Sequence, residues 1–202
     1  VLIDIRGFGL IIPVLPHLIK TIGKYDFGQA AMMSGWFSVA FSAIQFVFMP
    51  LLGALSDRYG RRRVILISCF GLAVDFTFMA LATSIPMFFI GRVISAMTSA
   101  SFSTANAYLT DVTAPEKRAA AFGLLGSAFG IGFVIGPALG GLLGGIDLRL
   151  PFLVAGVLAL LNWLYGYFVL PESLPLERRV PFDWRRANPV TGLKGLAELK
   201  GI

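Results

Sequence analysis

The chain is poor in charge, and cysteine and histidine are almost missing. Only 14% of its 202 residues are Asp, Glu, Lys or Arg, against roughly 25% in an ordinary soluble domain, so water is not the solvent for most of its surface. With Cys69 the single cysteine, neither a disulfide framework nor a thiolate metal site can be built. No H-E-x-x-H, P-loop or G-x-S-x-G pattern occurs, which argues against an enzyme, and Gly130-x-Gly132 is no dinucleotide fingerprint, since no strand precedes it and the third glycine is misplaced. A secretory cleavage pattern is also lacking. The net charge of +6 does not indicate nucleic acid, because the basic residues fall in short clusters between apolar runs.

What the chain has in abundance is apolar sequence: 56% of residues are hydrophobic and the mean hydropathy is +0.80. Runs of about 20 residues, each able to cross a ~30 Å hydrocarbon layer as a helix, are expected at 1–19, 32–54, 64–83, 86–109, 119–143 and 151–170. The connectors are short: Lys20 to Ala31, Ser56 to Arg63, a turn near Pro86, Thr110 to Arg118, and a turn through Asp147 and Arg149. Neighbouring helices must therefore be antiparallel. Alternate connectors hold Arg58, Arg61, Arg62, Arg63, Lys117 and Arg118, joined after the last span by Arg178, Arg179, Arg185, Arg186, Lys194 and Lys200; the others hold Lys20, Lys24 and Arg149. That asymmetry predicts that the first set and both chain ends are cytoplasmic. The expected organisation is a six-helix bundle over 1–171 and a polar cytoplasmic linker over 172–202. The opening Val1-Leu2-Ile3-Asp4, without an initiating methionine, is expected to lie inside a first helix that has been cut.

Several residues stand out chemically. Between spans two and three runs Gly53-Ala54-Leu55-Ser56-Asp57-Arg58-Tyr59-Gly60-Arg61-Arg62-Arg63, where Gly53 would allow close helix contact, Gly60 a tight turn, and Asp57 and Arg61 a charge contact between helix ends. Asp4, Arg6, Asp75 and Arg92 lie within apolar spans, at a cost of at least ~2.5–3.5 kcal/mol each near the bilayer centre unless paired, solvated or used. Counting from the shared turn at ~1.5 Å per residue puts Asp75 about 13 Å and Arg92 about 9 Å from one surface on antiparallel helices, so their side chains could meet, as a structural pair or a functional one. Asp4 and Arg6 are about 200° apart around a helix and cannot face each other. Arg92, Ser99, Ser103 and Asn106 form one stripe along the fourth span; these, and Gln45 in the second, fit either a cavity wall or interhelical hydrogen bonding. His17 near the outer end of span one fits a wet interface. In span five Gly132, Gly136, Gly140 and Gly144 share one face and Pro137 permits a kink.

The loop string resembles the G-x-L-x-D-R-x-G-R-R signature of the major facilitator superfamily, in its expected place. Asp4-Ile5-Arg6-Gly7-Phe8-Gly9-Leu10-Ile11-Ile12-Pro13-Val14-Leu15-Pro16 is similar to the first helix of tetracycline-type drug:proton antiporters. Val74-Asp75, Ile90-Gly91-Arg92, Ala107-Tyr108-Leu109-Thr110-Asp111, Asn162 and Leu170-Pro171-Glu172-Ser173 fall in step with the same subfamily. Gly126, Gly130, Gly136, Pro137, Gly140 and Gly141 resemble the Gly-Pro element of its exporters. The resemblance implies an all-α polytopic membrane protein, the six-transmembrane-helix half of a twelve-helix fold, in a bacterial inner membrane. It further implies proton-coupled efflux of a small amphipathic drug, tetracycline in that subfamily as a divalent-cation complex, with no resident cofactor or metal. The partners implied are the bilayer and a C-terminal six-helix half; uptake by the same fold is the rival reading, argued against by the Gly-Pro element. Asp4, Asp75 and Arg92 would couple to protons; Gly53, Asp57, Arg58, Gly60, Arg61 and Asp111 would form the gate, with Arg61 reaching Asp111; Gln45, Ser99, Ser103 and Asn106 would face the pathway. Arg6 departs from the subfamily, where an uncharged residue is usual.

Overall fold

A computed structural model describes residues 11, 13–98 and 101–184, and among these it is helical without strands. The elements in chain order are α1 (Leu15–Gly23), α2 (Phe27–Tyr59), α3 (Arg61–Leu81), α4 (Ile85–Val112), α5 (Arg118–Ile146) and α6 (Leu150–Val169), with short 3-10 turns at Pro115–Lys117 and Leu176–Arg178. Five of them, α2 to α6, are long and apolar enough to cross a membrane. The apolar run upstream of α1, with Asp4 and Arg6, lies outside the described residues, as do Ser99 and the linker beyond Trp184.

Helix α2 outruns its apolar stretch at both ends. Asp26 starts it with a capping box: its Oδ1 accepts from the Gln29 amide at 2.8 Å, and Gln29 Oε1 accepts from the Asp26 amide at 3.2 Å, satisfying two donors that a helix start leaves free. The expected connector from Lys20 to Ala31 is thereby cut to a few residues, turned by Lys24 in the left-handed region (φ 54°). At the other end the expected loop from Ser56 to Arg63 shrinks to one residue. Gly60, at φ +104°, closes α2 by donating its amide to the Ser56 carbonyl at 3.1 Å, and α3 begins at the next residue.

The core lies where α3, α4 and α6 converge with the end of α1. Phe76, Met79, Phe88, Phe152, Leu18 and Ile19 are fully buried there. Small residues set the spacing: a Cβ on Gly91 would come within 2.9 Å of Phe78 Cβ, one on Gly71 would strike Thr98, and one on Gly156 would touch Phe76 Cβ at 3.5 Å. Helix α3 is therefore wrapped by neighbours, whereas α2 and α5 are largely bare. The outward surface is apolar, with Val134 75% and Phe168 79% exposed, which is the pattern of helices dissolved in lipid.

A candidate gate and a buried charge pair

The first turn of α3 holds Arg61, Arg62 and Arg63 and no acid. A helix N-terminus carries roughly half a positive charge, so three arginines there repel it and one another, and the first amides lack partners. Both deficits are met from the far end of the bundle. Glu172, just past α6, accepts with Oε1 from the Arg61 amide at 2.8 Å, the Arg62 amide at 3.4 Å and the Leu174 amide at 3.2 Å. Its Oε2 lies 4.0 Å from Arg179 Nη2. Gly60 leaves room for this, since a Cβ there would collide with the Glu172 carboxylate.

The Arg61 side chain, 15% exposed, ties three elements together. Its Nη1 lies 2.5 Å from Asp57 Oδ1 on α2 and donates to Ser56 Oγ at 2.7 Å, while its Nε reaches Asp111 Oδ2 at the end of α4 at 3.3 Å. Ser173 Oγ donates to the same Asp111 oxygen at 3.2 Å, and the Val180 amide donates to the Asp57 carbonyl at 3.2 Å. The arrangement is an ionic clasp whose partners sit on separate helix ends, so that sliding or tilting one end breaks it. Two residues expected in the clasp are not in it. Arg58 lays its guanidinium over the Tyr59 ring, 5.0 Å from the centroid, and Gly53 has open space where its Cβ would be, so the close contact expected of it is not made among the described residues. Glu172, Ser173 and Arg179 are clasp members that the motif does not include.

Deeper in the bundle Asp75 and Arg92 meet, Oδ2 to Nη1 at 3.4 Å, with side chains 0% and 12% exposed. Arg92 also stands 4.6 Å from the Phe41 ring centroid, linking α4 to α2 as well as α3, and buried Ser95 faces the carboxylate one turn on. Arg92 Nε and Asp75 Oδ1 are buried without a well-formed hydrogen bond. An ion pair in an apolar bundle is costly to keep, so each charge depends on the other for its place there.

The remaining expectations are less gathered. Gln45, Ser103 and Asn106 are half-buried, and the cavities described among α1, α3, α4, α5 and α6 are lined by other residues. The Asn106 backbone carbonyl accepts from Thr110 Oγ1 at 2.8 Å. In α5 the helix continues through Pro137; Gly132, Gly136 and Gly140 are buried, and a Cβ on Gly144 would meet Val14 Cγ2 of the first helical segment at 2.9 Å. Gly126, Gly130 and Gly141 have nothing within 4 Å of a Cβ. His17 is exposed with its ring 5.6 Å from that of Phe27.

Residues 2–200 match the family model described as Major Facilitator Superfamily. The chain belongs to that superfamily. It is 43% identical over 194 residues to the tetracycline resistance protein, class C, of Escherichia coli, covering 96% of this chain and 48% of the relative. Its identity with the class D tetracycline resistance protein of Salmonella ordonez is 39%, over 98% of this chain and 50% of that one. The crystal structure of the human organic anion transporter MFSD10 superposes with a TM-score of 0.76 at 30% identity, covering 89% of this chain and 47% of that chain. The chain thus spans about half the length of the curated relatives it matches, and its fold is the six-helix half of the major facilitator fold.

Proposed function

We propose that this chain is the N-terminal half of a bacterial inner-membrane transporter that expels an amphipathic drug, tetracycline or a similar compound, in exchange for protons. The observation that carries the reading is the Arg61 clasp joined to Asp57 and Asp111, on a chain 43% identical to a tetracycline resistance protein over nearly its whole length. The clasp fastens helix ends at one face of the bundle, as alternating access needs a contact that forms in one state and opens in the other. The Asp75–Arg92 pair and Asp4 supply carboxylates for proton exchange. The arginine-rich end and the linker face the cytoplasm by the charge rule, and the second half completes the pathway. The drug enters as a divalent-cation complex; the protein itself holds no resident cofactor.

The test uses the full-length protein in everted membrane vesicles. Imposing an acid-inside pH gradient should drive tetracycline accumulation that depends on magnesium and collapses with a protonophore. Accumulation driven by the opposite gradient would make the protein an uptake carrier, and ligand binding without any flux would make it a receptor. Reporter fusions at Arg62, Lys117 and Arg185 should be cytoplasmic and those at Lys24 and Arg149 external.

A further inference from the structure

A cavity of about 250 Å³ lies between α3, α4 and α6, walled by Leu66, Cys69, Ala105, Tyr108, Asn162 and Gly166 among others. It is separate from the clasp and from the Asp75–Arg92 pair. Its lining residues stand a few positions from the helix ends that carry the arginines, so at ~1.5 Å per residue it sits at the depth of the first acyl carbons of the adjacent leaflet. The interior is apolar, since the polar groups at its inner end satisfy one another: Asn162 Nδ2 donates to Cys69 Sγ at 3.6 Å. The Tyr165 wall is 64% exposed, opening the cavity toward the bilayer.

The mouth is basic. Arg62 lies three, four and seven residues before Ile65, Leu66 and Cys69, so all four share one face of α3, with Arg62 at the outer end of the stripe. Its Nη2 donates to the Tyr167 carbonyl at 2.5 Å and its guanidinium stands 5.8 Å from the Tyr167 ring centroid. Among the described residues it has no carboxylate partner, and its neighbour Arg63 is exposed. An arginine at headgroup depth whose guanidinium has no carboxylate partner among the described residues, directly below an apolar slot, matches a molecule with a phosphate and a hydrocarbon chain joined at its end.

We propose that this cavity binds the upper part of one acyl chain of an anionic phospholipid, with the lipid phosphate on Arg62 and Arg63. Occupancy acts on the clasp through Tyr108, which lines the cavity and donates its hydroxyl to the Pro171 carbonyl at 3.2 Å, next to Glu172. A chain packed against the Tyr108 ring holds that bond, and with it the segment that caps α3.

Native mass spectrometry of the full-length protein in detergent tests this without any transport reaction, so it stands or falls apart from the efflux reading. Phosphatidylglycerol should remain bound, whereas phosphatidylcholine with the same chains and chainless glycerophosphoglycerol should not. Arg62→Gln should weaken phosphatidylglycerol binding about fivefold, as removal of ~1 kcal/mol per basic residue implies. Ala105→Phe, which fills the cavity and leaves all charges in place, should weaken it at least as much; Cys69→Leu gives a milder filling should the phenylalanine variant misfold. Equal retention of both phospholipids would remove the arginine from the proposal. Parent-like phosphatidylglycerol binding by both filled variants would place the chain elsewhere and overturn it.

Discussion

Glu172→Ala removes the only carboxylate among the described residues that serves the first amides of α3, and its cost can be worked from the geometry. Losing a side-chain cap costs about 1 kcal/mol, and losing an anion at a helix N-terminus adds about 0.5 kcal/mol, taken from the middle of the surface range because Glu172 is 28% exposed. The Arg179 contact at 4.0 Å is partly solvated and contributes little. The sum of about 1.5 kcal/mol corresponds to roughly a tenfold rise in local opening of the first turn. Hydrogen exchange of the full-length protein in detergent reads this directly: the Arg61 and Arg62 amides should exchange about tenfold faster in Glu172→Ala. Amides near Phe76, deep in the core, should be unchanged. Glu172→Gln, which keeps a neutral acceptor, should recover part of the protection. Unchanged exchange at Arg61 and Arg62 in the alanine variant would show that the trans cap carries no free energy.

Three further outcomes are expected, two from the geometry and one from the sequence. Asp75→Asn or Arg92→Gln alone leaves a buried charge unpaired and should cost about 3–5 kcal/mol, read as lost thermal stability or expression of the full-length protein. The exchange Asp75→Arg with Arg92→Asp should restore part of it, and strictly additive damage would refute direct pairing. Gly60→Ala meets both a left-handed backbone and the Glu172 carboxylate, so it should destabilise by more than the ~1 kcal/mol of a conformational penalty alone; a thermal shift smaller than that of Gly53→Ala, whose site is open, would contradict it. Asp4→Asn should abolish drug accumulation driven by a pH gradient, because an amide cannot exchange a proton, and parent-like accumulation would move coupling to Asp75 or to the second half.

The bundle was legible in the hydropathy because lipid leaves a run of about 20 apolar residues per crossing. Its ends were not, because hydropathy records where lipid stops and helix α2 goes on past it, started by Asp26 and stopped only by Gly60. The Asp75–Arg92 contact could be found by counting residues from a shared turn, since antiparallel helices fix relative depth. The Arg61–Asp111 contact followed from the family resemblance. Glu172 was hidden by its separation of 111 residues from Arg61, although three arginines at a helix start without an acid are themselves a sign that a carboxylate must arrive from elsewhere. The polar stripe on α4 marks a limit of periodicity: period places Ser103 and Asn106 on one side of the helix, but not what stands opposite them.

Helix α5 carries two kinds of glycine, those already covered and those, Gly123, Gly126, Gly130, Gly141 and Gly145, with empty space before them. Each glycine in a helix is about 1 kcal/mol worse than alanine, and at the empty positions nothing within the described residues returns it. In a growing polypeptide these six helices would finish their own core around Phe76, Phe88 and Phe152 while α5 still showed a smooth, weakly held flank to the membrane. On the two-half reading proposed above, such a flank is a surface still to be covered. Membrane proteases and insertion chaperones would meet an orphaned half by its α5, a helix made locally less stable by the same glycines that a later neighbour would cover.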